Sequence, residues 1–145
     1  MLERRESTPV QLTTVLALCG LGEAYLMAGE IDRAEATARQ ALEVNADLNP
    51  FTSALAGRLL GRVALARGQT DVCESHLTHA LEAFERCGAS FEAARTHLDL
   101  ARMLMSRGDP TGVRSHAGAA IRAFERAGAP RRTASVLELT ATPGR

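Results

Sequence analysis

Three groupings of residues in this chain have types and spacings that could do chemistry. Cys73, His76 and His79 follow one another at intervals of three, and the first two would share a helix face as metal ligands. A structural zinc site needs about four ligands, and on a helix of 3.6 residues per turn His79 is rotated away from Cys73. His116 stands one repeat after His76, which marks both as occupants of an equivalent structural position. Ser75-His76 and Ser115-His116 pair a nucleophile with a base in type only, because neighbouring helical side chains face different directions and nucleophilic catalysis needs the two within hydrogen-bond reach. Gly20 and Gly22 lie inside a helical pattern and belong to no phosphate loop. The chain is therefore expected to carry no catalytic residue, no metal and no cofactor.

The elements that position these residues come from one phrase written three times. Residues 20–44 read GLGEAYLMAGEIDRAEATARQALEV, residues 59–83 read LLGRVALARGQTDVCESHLTHALEA, and residues 99–123 read DLARMLMSRGDPTGVRSHAGAAIRA. The alignment sets Gly22 over Gly61 and Ala101, Gly29 over Gly68 and Gly108, and Ala41 over Ala80 and Ala120. A fixed period in this range is the signature of a helical solenoid, whose units act by holding a surface in shape. Ser7 or Thr8 before Pro9 starts a first helix over about Pro9–Ala28, striped by Leu12, Val15, Leu18, Leu21 and Tyr25. A second helix runs from Ile31 to about Asn45, and the Asn49-Pro50 pair closes the first repeat. Further helices are expected over about Phe51–Ala66, Thr70–Cys87, Phe91–Ser106 and Pro110–Ala127, with turns at Gly68 and Gly108 and breaks at Gly88 and Gly128. Val136, Leu137 and Leu139 imply a short helix over about residues 130–140 that covers the last hairpin, before a loose tail at Thr142-Pro143-Gly144-Arg145.

Composition narrows the function. At 145 residues the chain is expected to form one domain, residues 1–145, with repeats at about 12–49, 51–88 and 91–128. Aromatic residues make up only 3% and Trp is absent, so the core must come from Leu, Val, Ile and Ala on closely approaching helices. Seventeen Arg, with no Lys, balance seventeen Asp plus Glu. That neutrality gives no field to draw the protein onto nucleic acid or an acidic membrane. The N-terminus MLERRESTPVQ has no apolar signal region, and no unbroken apolar run reaches the roughly 18 residues that span a bilayer. A cytoplasmic protein is expected, with Cys19, Cys73 and Cys87 as reduced, buried thiols.

The repeated hairpins, with Gly22, Tyr25, Gly29, Ala34 and Ala41 as the closest set, resemble the tetratricopeptide repeat. The likeness covers roughly residues 12–127. Ala64 and Leu104 stand where the family has Tyr, and the period exceeds the usual 34 residues. The resemblance implies an all-α, right-handed superhelical stack of three antiparallel hairpins plus the C-terminal capping helix. It also implies a concave groove lined by the first helix of each hairpin. By register that face carries Glu23 and Met27, then Arg58, Arg62 and Leu65, then Arg95, Leu98, Arg102 and Met105. The implied function is a non-catalytic protein–protein interaction scaffold. Four arginines would favour a protein or peptide with an acidic segment, with Leu and Met supplying apolar contact; read without a ligand, the same residues are solvated helix positions paired with Glu23, Glu92 or Asp99. Repeat endings such as ALEAFERCGAS and AIRAFERAGAP are similar to those in large bacterial regulators. The alternative is a structural or oligomerisation segment of such a regulator, acting through its end faces, with a homodimer formed at the N-terminal one unless residues 1–8 cover it.

Overall fold

The computed structural model describes residues 6–141, so the tail at Thr142–Arg145 and most of the expected N-terminal arm lie outside the described residues. Among those described, the regular elements are all helical: α1 (Pro9–Met27), α2 (Ile31–Asn45), α3 (Pro50–Ala66), α4 (Thr70–Arg86), α5 (Ser90–Ser106), α6 (Pro110–Arg126) and α7 (Thr133–Ala141). A single 3-10 turn, Pro130–Arg132, precedes α7, so the final helix starts three residues later than Pro130.

Local chemistry sets the helix ends. The Thr8 hydroxyl accepts from the Gln11 N–H at 3.2 Å while Gln11 Oε1 accepts from the Thr8 N–H at 2.9 Å, a reciprocal cap with Pro9 at the first helical position. Asn49 and Asp109 cap α3 and α6, each followed by proline. The chain leaves α1 and α3 through Gly29 and Gly68, at φ 79° and 73°, where a Cβ would be strained. The α2–α3 link has no glycine, and Ala46 and Asp47 themselves take φ 45° and 59°. A side-chain lattice holds it: Asn45 Nδ2 donates to the Asn49 carbonyl at 3.2 Å and to Ser53 Oγ at 2.7 Å, and Thr52 Oγ1 donates to Asn45 Oδ1 at 2.6 Å.

The chain forms two compact units, Met1–Ala80 and Leu81–Arg145, with the boundary inside α4. In the first, α1 and α2 pair as a hairpin and α3 packs on both. Val15, Cys19, Ala41 and Ala56 form one buried cluster, and Ala38, Leu59 and Leu60 another. The helices meet closely, since a Cβ added to Gly61 would sit 2.8 Å from Leu77 Cδ2, and one on Gly22 would fall on Leu59 Cδ2. Ala41 is wholly buried at such a crossing. Ala41→Leu should therefore lower stability by about 1–3 kcal/mol through overpacking, whereas Ala36→Leu on the exposed side of α2 should not. Thermal melts of the two variants check this, and equal melting temperatures would contradict the register.

In the second unit α5 and α6 pair, and α7 packs on α6. Its core is Ala94, Ala117, Ala120, Ala123, Phe124 and Val136, with the Phe91 ring edge-on to Phe124 at 5.7 Å. Two features depart from the expectations above. Cys19 and Cys73 are buried, but Cys87, one residue beyond α4, is exposed. Burial, with Glu23 adding to it and Arg58 opposing, pushes the Cys19 thiol up to about 11. Also, α1 is long and apolar enough, by length and composition, to cross a membrane. Thr and Gln interrupt its apolar run, yet Glu23 is its single charge.

Candidate partner-binding surface

In the first unit α3 presents Arg58, Arg62 and Leu65 at helical spacings that share one face. Glu23 reaches them from α1: its Oε1 lies 3.7 Å from Arg58 Nη2 and 3.6 Å from Arg62 Nη1. Two guanidiniums thus converge on one carboxylate oxygen. Their surroundings differ, because Arg58 is only 2% exposed whereas Arg62 and Glu23 keep part of their surface in water. A charge so deeply buried must be paired, so Arg58 acts as a fixed anchor for Glu23. Leu65 is half-buried, and Met27 stands exposed at the end of α1.

In the second unit α5 carries Arg95, Leu98, Arg102 and Met105. Arg95 Nη1 is 3.5 Å from Glu92 Oε2. Arg102 Nη1 donates to Asp99 Oδ1 at 3.1 Å, which ties a half-exposed arginine to a buried carboxylate. Met105 is exposed, whereas Leu98 packs against the alanine-rich core of the hairpin. Arg58, Arg62 and Leu65 are thus brought together in one unit, and in the other Arg102 and Met105 are the most exposed, with Arg95 about a third exposed.

Two arrangements were not foreseen from the sequence. Arg67, just after α3, donates to Asp32 Oδ1 at 2.6 Å and also pairs with Glu35, which Arg39 meets at 2.9 Å. The hydrogen bonds from Arg67 and Arg39 hold the Glu35 carboxyl below its ordinary range. These exposed pairs, beside an open depression at Gly29–Arg33, are worth little individually.

The second arrangement is a histidine pair. His97 on α5 and His116 on α6 bring their Nδ1 atoms to 3.0 Å, with ring centroids 5.3 Å apart. That separation is close to a head-on approach, in which one nitrogen donates the single proton between them and the other accepts it. It leaves no room for a metal ion, whose bonds to imidazole would each be about 2.0–2.1 Å. His97 Nε2 also faces Glu85 Oε1 at 3.7 Å. Burial, followed by the charges of His116, Arg122 and Arg126, pushes His97 down to about 4. Residue type and helical spacing do not announce this pair, because the two histidines lie on different helices nineteen positions apart. Among the described residues no group of three or more His, Cys, Asp or Glu converges as a metal site.

Together these features define an all-helical repeat protein built from helix hairpins. Residues 15–40, most of the first hairpin, match the family model of the tetratricopeptide repeat, and with the repeated helices this makes the protein tetratricopeptide-repeat-like. Such repeats generally mediate protein–protein interaction and are typically non-catalytic scaffolds. No curated protein and no solved structure matches the chain.

Proposed function

We propose that the protein is a non-catalytic cytoplasmic scaffold whose hairpins form a right-handed superhelical stack and whose first-helix faces bind an acidic peptide or protein segment. The observation that carries this reading is the held geometry around Glu23. Buried Arg58 fixes the carboxylate, and the carboxylate orients the part-exposed Arg62. A guanidinium oriented in advance loses little freedom on meeting a ligand, and its planar fork suits bidentate capture of a second carboxylate. On α5, Arg102 offers the same chemistry and Met105 an adaptable apolar contact. Formal neutrality of the whole chain gives no general attraction for nucleic acid.

The test is selection from a displayed peptide library against the wild type and against an Arg62→Glu, Arg102→Glu variant. The wild type should enrich sequences rich in Asp and Glu around an apolar anchor. The charge-reversed variant, melted beside the wild type to establish that it is folded at the binding temperature, should bind them at least about tenfold more weakly, or about 1.4 kcal/mol. Enrichment of neutral sequences, or equal binding by the two proteins, would sink the proposal.

A further inference from the structure

One face of α1 packs into its hairpin through Val15, Cys19 and Gly22; the opposite face is apolar and in water. Val10 is 76% exposed, Leu16 43%, Leu21 45% and Met27 84%. The two threonines among them add little polarity. Thr13 Oγ1 donates to the Pro9 carbonyl at 2.9 Å and Thr14 Oγ1 to the Val10 carbonyl at 2.8 Å, so both hydroxyls are turned back onto the helix. Glu23, the one charge on α1, is engaged by Arg58 and Arg62.

The outward face is symmetric about the middle of the helix. Val10 and Met27, Thr13 and Ala24, Leu16 and Leu21, and Ala17 and Gly20 all share one midpoint, between Leu18 and Cys19. The exposures of the large residues match in the same pairs. The smallest residues, Ala17 and Gly20, stand at the centre, and the space above Gly20 is open.

We propose that this face is the contact surface of an isologous homodimer, in which α1 of one copy lies antiparallel against α1 of a second. A two-fold axis through the shared midpoint sets Ala17 level with Gly20 of the second copy, which allows close backbone approach. It sets Leu16 level with Leu21 and Val10 level with Met27, so large residues flank a small centre on both sides. An uncharged face meets its own copy without repulsion. In the second unit α7 plays the matching part, burying Val136 against α6.

Other occupants fit less well. Residues 1–5 include Glu3, Arg4 and Arg5, charges that an apolar face does not hold. Entry into a bilayer would strip Val15, Cys19 and Gly22 from the hairpin and separate Glu23 from its arginines. One helix face about 28 Å long and 10 Å wide covers roughly 300 Å² per copy, well under the roughly 800 Å² of a standard interface. The dimer is therefore weak and concentration-dependent.

Sedimentation equilibrium on the 145-residue chain, from a few micromolar to several hundred micromolar, tests this beside Leu21→Glu and Ala17→Glu, with circular dichroism melts and flotation on phosphatidylcholine vesicles. The wild-type mass should rise toward twice the monomer, and at least one folded variant should stay monomeric at every concentration. A wild type that stays monomeric, or folded variants that dimerise as it does, would overturn the proposal. So would a wild type that floats with the vesicles and never dimerises in solution, which would assign the face to lipid.

Discussion

Phe124→Ala is expected to lower the unfolding free energy by about 3–5 kcal/mol, the usual cost of removing a fully buried aromatic ring. Phe124 is almost completely buried, and its surroundings argue for the upper part of that range. Its neighbours in the core are Ala94, Ala117, Ala120 and Ala123, whose methyl groups have no rotamer with which to refill the space. The larger side chains packed with them are Val136 and the half-buried Phe91, Leu98 and Ile121. The edge-on contact with Phe91 is lost as well, worth about 0.5–1.5 kcal/mol beyond its area. Denaturant unfolding of the variant beside Arg126→Ala, a change at an exposed position expected to stay within about 0.5 kcal/mol, measures the effect. Equal midpoints for the two would remove Phe124 from the core.

The other large effect is on acid stability and comes from the histidine pair. His97 titrates at its ordinary 6.5 when unfolded but is held down to about 4 in the fold. Above pH 6.5 the ring is neutral in both states and its contribution to stability is fully present. As pH falls below 6.5 the unfolded chain takes up a proton that the folded chain refuses until about pH 4, so stability drops across that window and levels off below it. A difference of this size corresponds to a loss on the order of 3 kcal/mol. The groups facing the ring are Glu85 from α4 and His116, Arg122 and Arg126 from α6. Carboxylates titrate in the same range, so the comparison is with His97→Gln, which retains a hydrogen-bonding side chain and cannot ionise. Denaturation midpoints of wild type and variant should diverge from pH 7 to pH 4, the wild type falling further. Parallel curves would show that His97 protonates as easily folded as unfolded.

The parts of the fold legible in the sequence are those that one residue determines. Gly29, Gly68 and Gly108 take positive φ just past their helices, and Pro9, Pro50 and Pro110 stand at the first turn of theirs, so the expected boundaries of α1 to α6 fell within about one residue of those observed, whereas α7 starts three residues late. The α2–α3 link was less readable. Nothing in Ala46 or Asp47 announces a left-handed backbone; the lattice of Asn45, Asn49, Thr52 and Ser53 imposes it. Thr13 and Thr14 concealed the apolar character of α1, because residue type does not tell that a hydroxyl has turned back onto its own helix.

At the candidate surface, helical register was legible and depth was not. Helical spacing set Arg58 beside Arg62, but the burial of one and the partial exposure of the other depend on helices that cross them from elsewhere in the chain. The same holds for His97 and His116, nineteen residues apart and brought to one hydrogen bond only by the crossing of α5 and α6. A periodic pattern reports which face a residue occupies, and the neighbouring helix decides what that face touches.

The three thiols differ enough to keep time. Cys87 stands in water, while Cys73 on α4 and Cys19 on α1 are buried, and burial pushes the Cys19 thiol up to about 11. A thiol reagent added to the native protein meets Cys87 at once, and the other two only when their helices part. The lag between the first modification and the later ones is then a stopwatch on the opening of α1 and α4, read by mass in the unaltered chain.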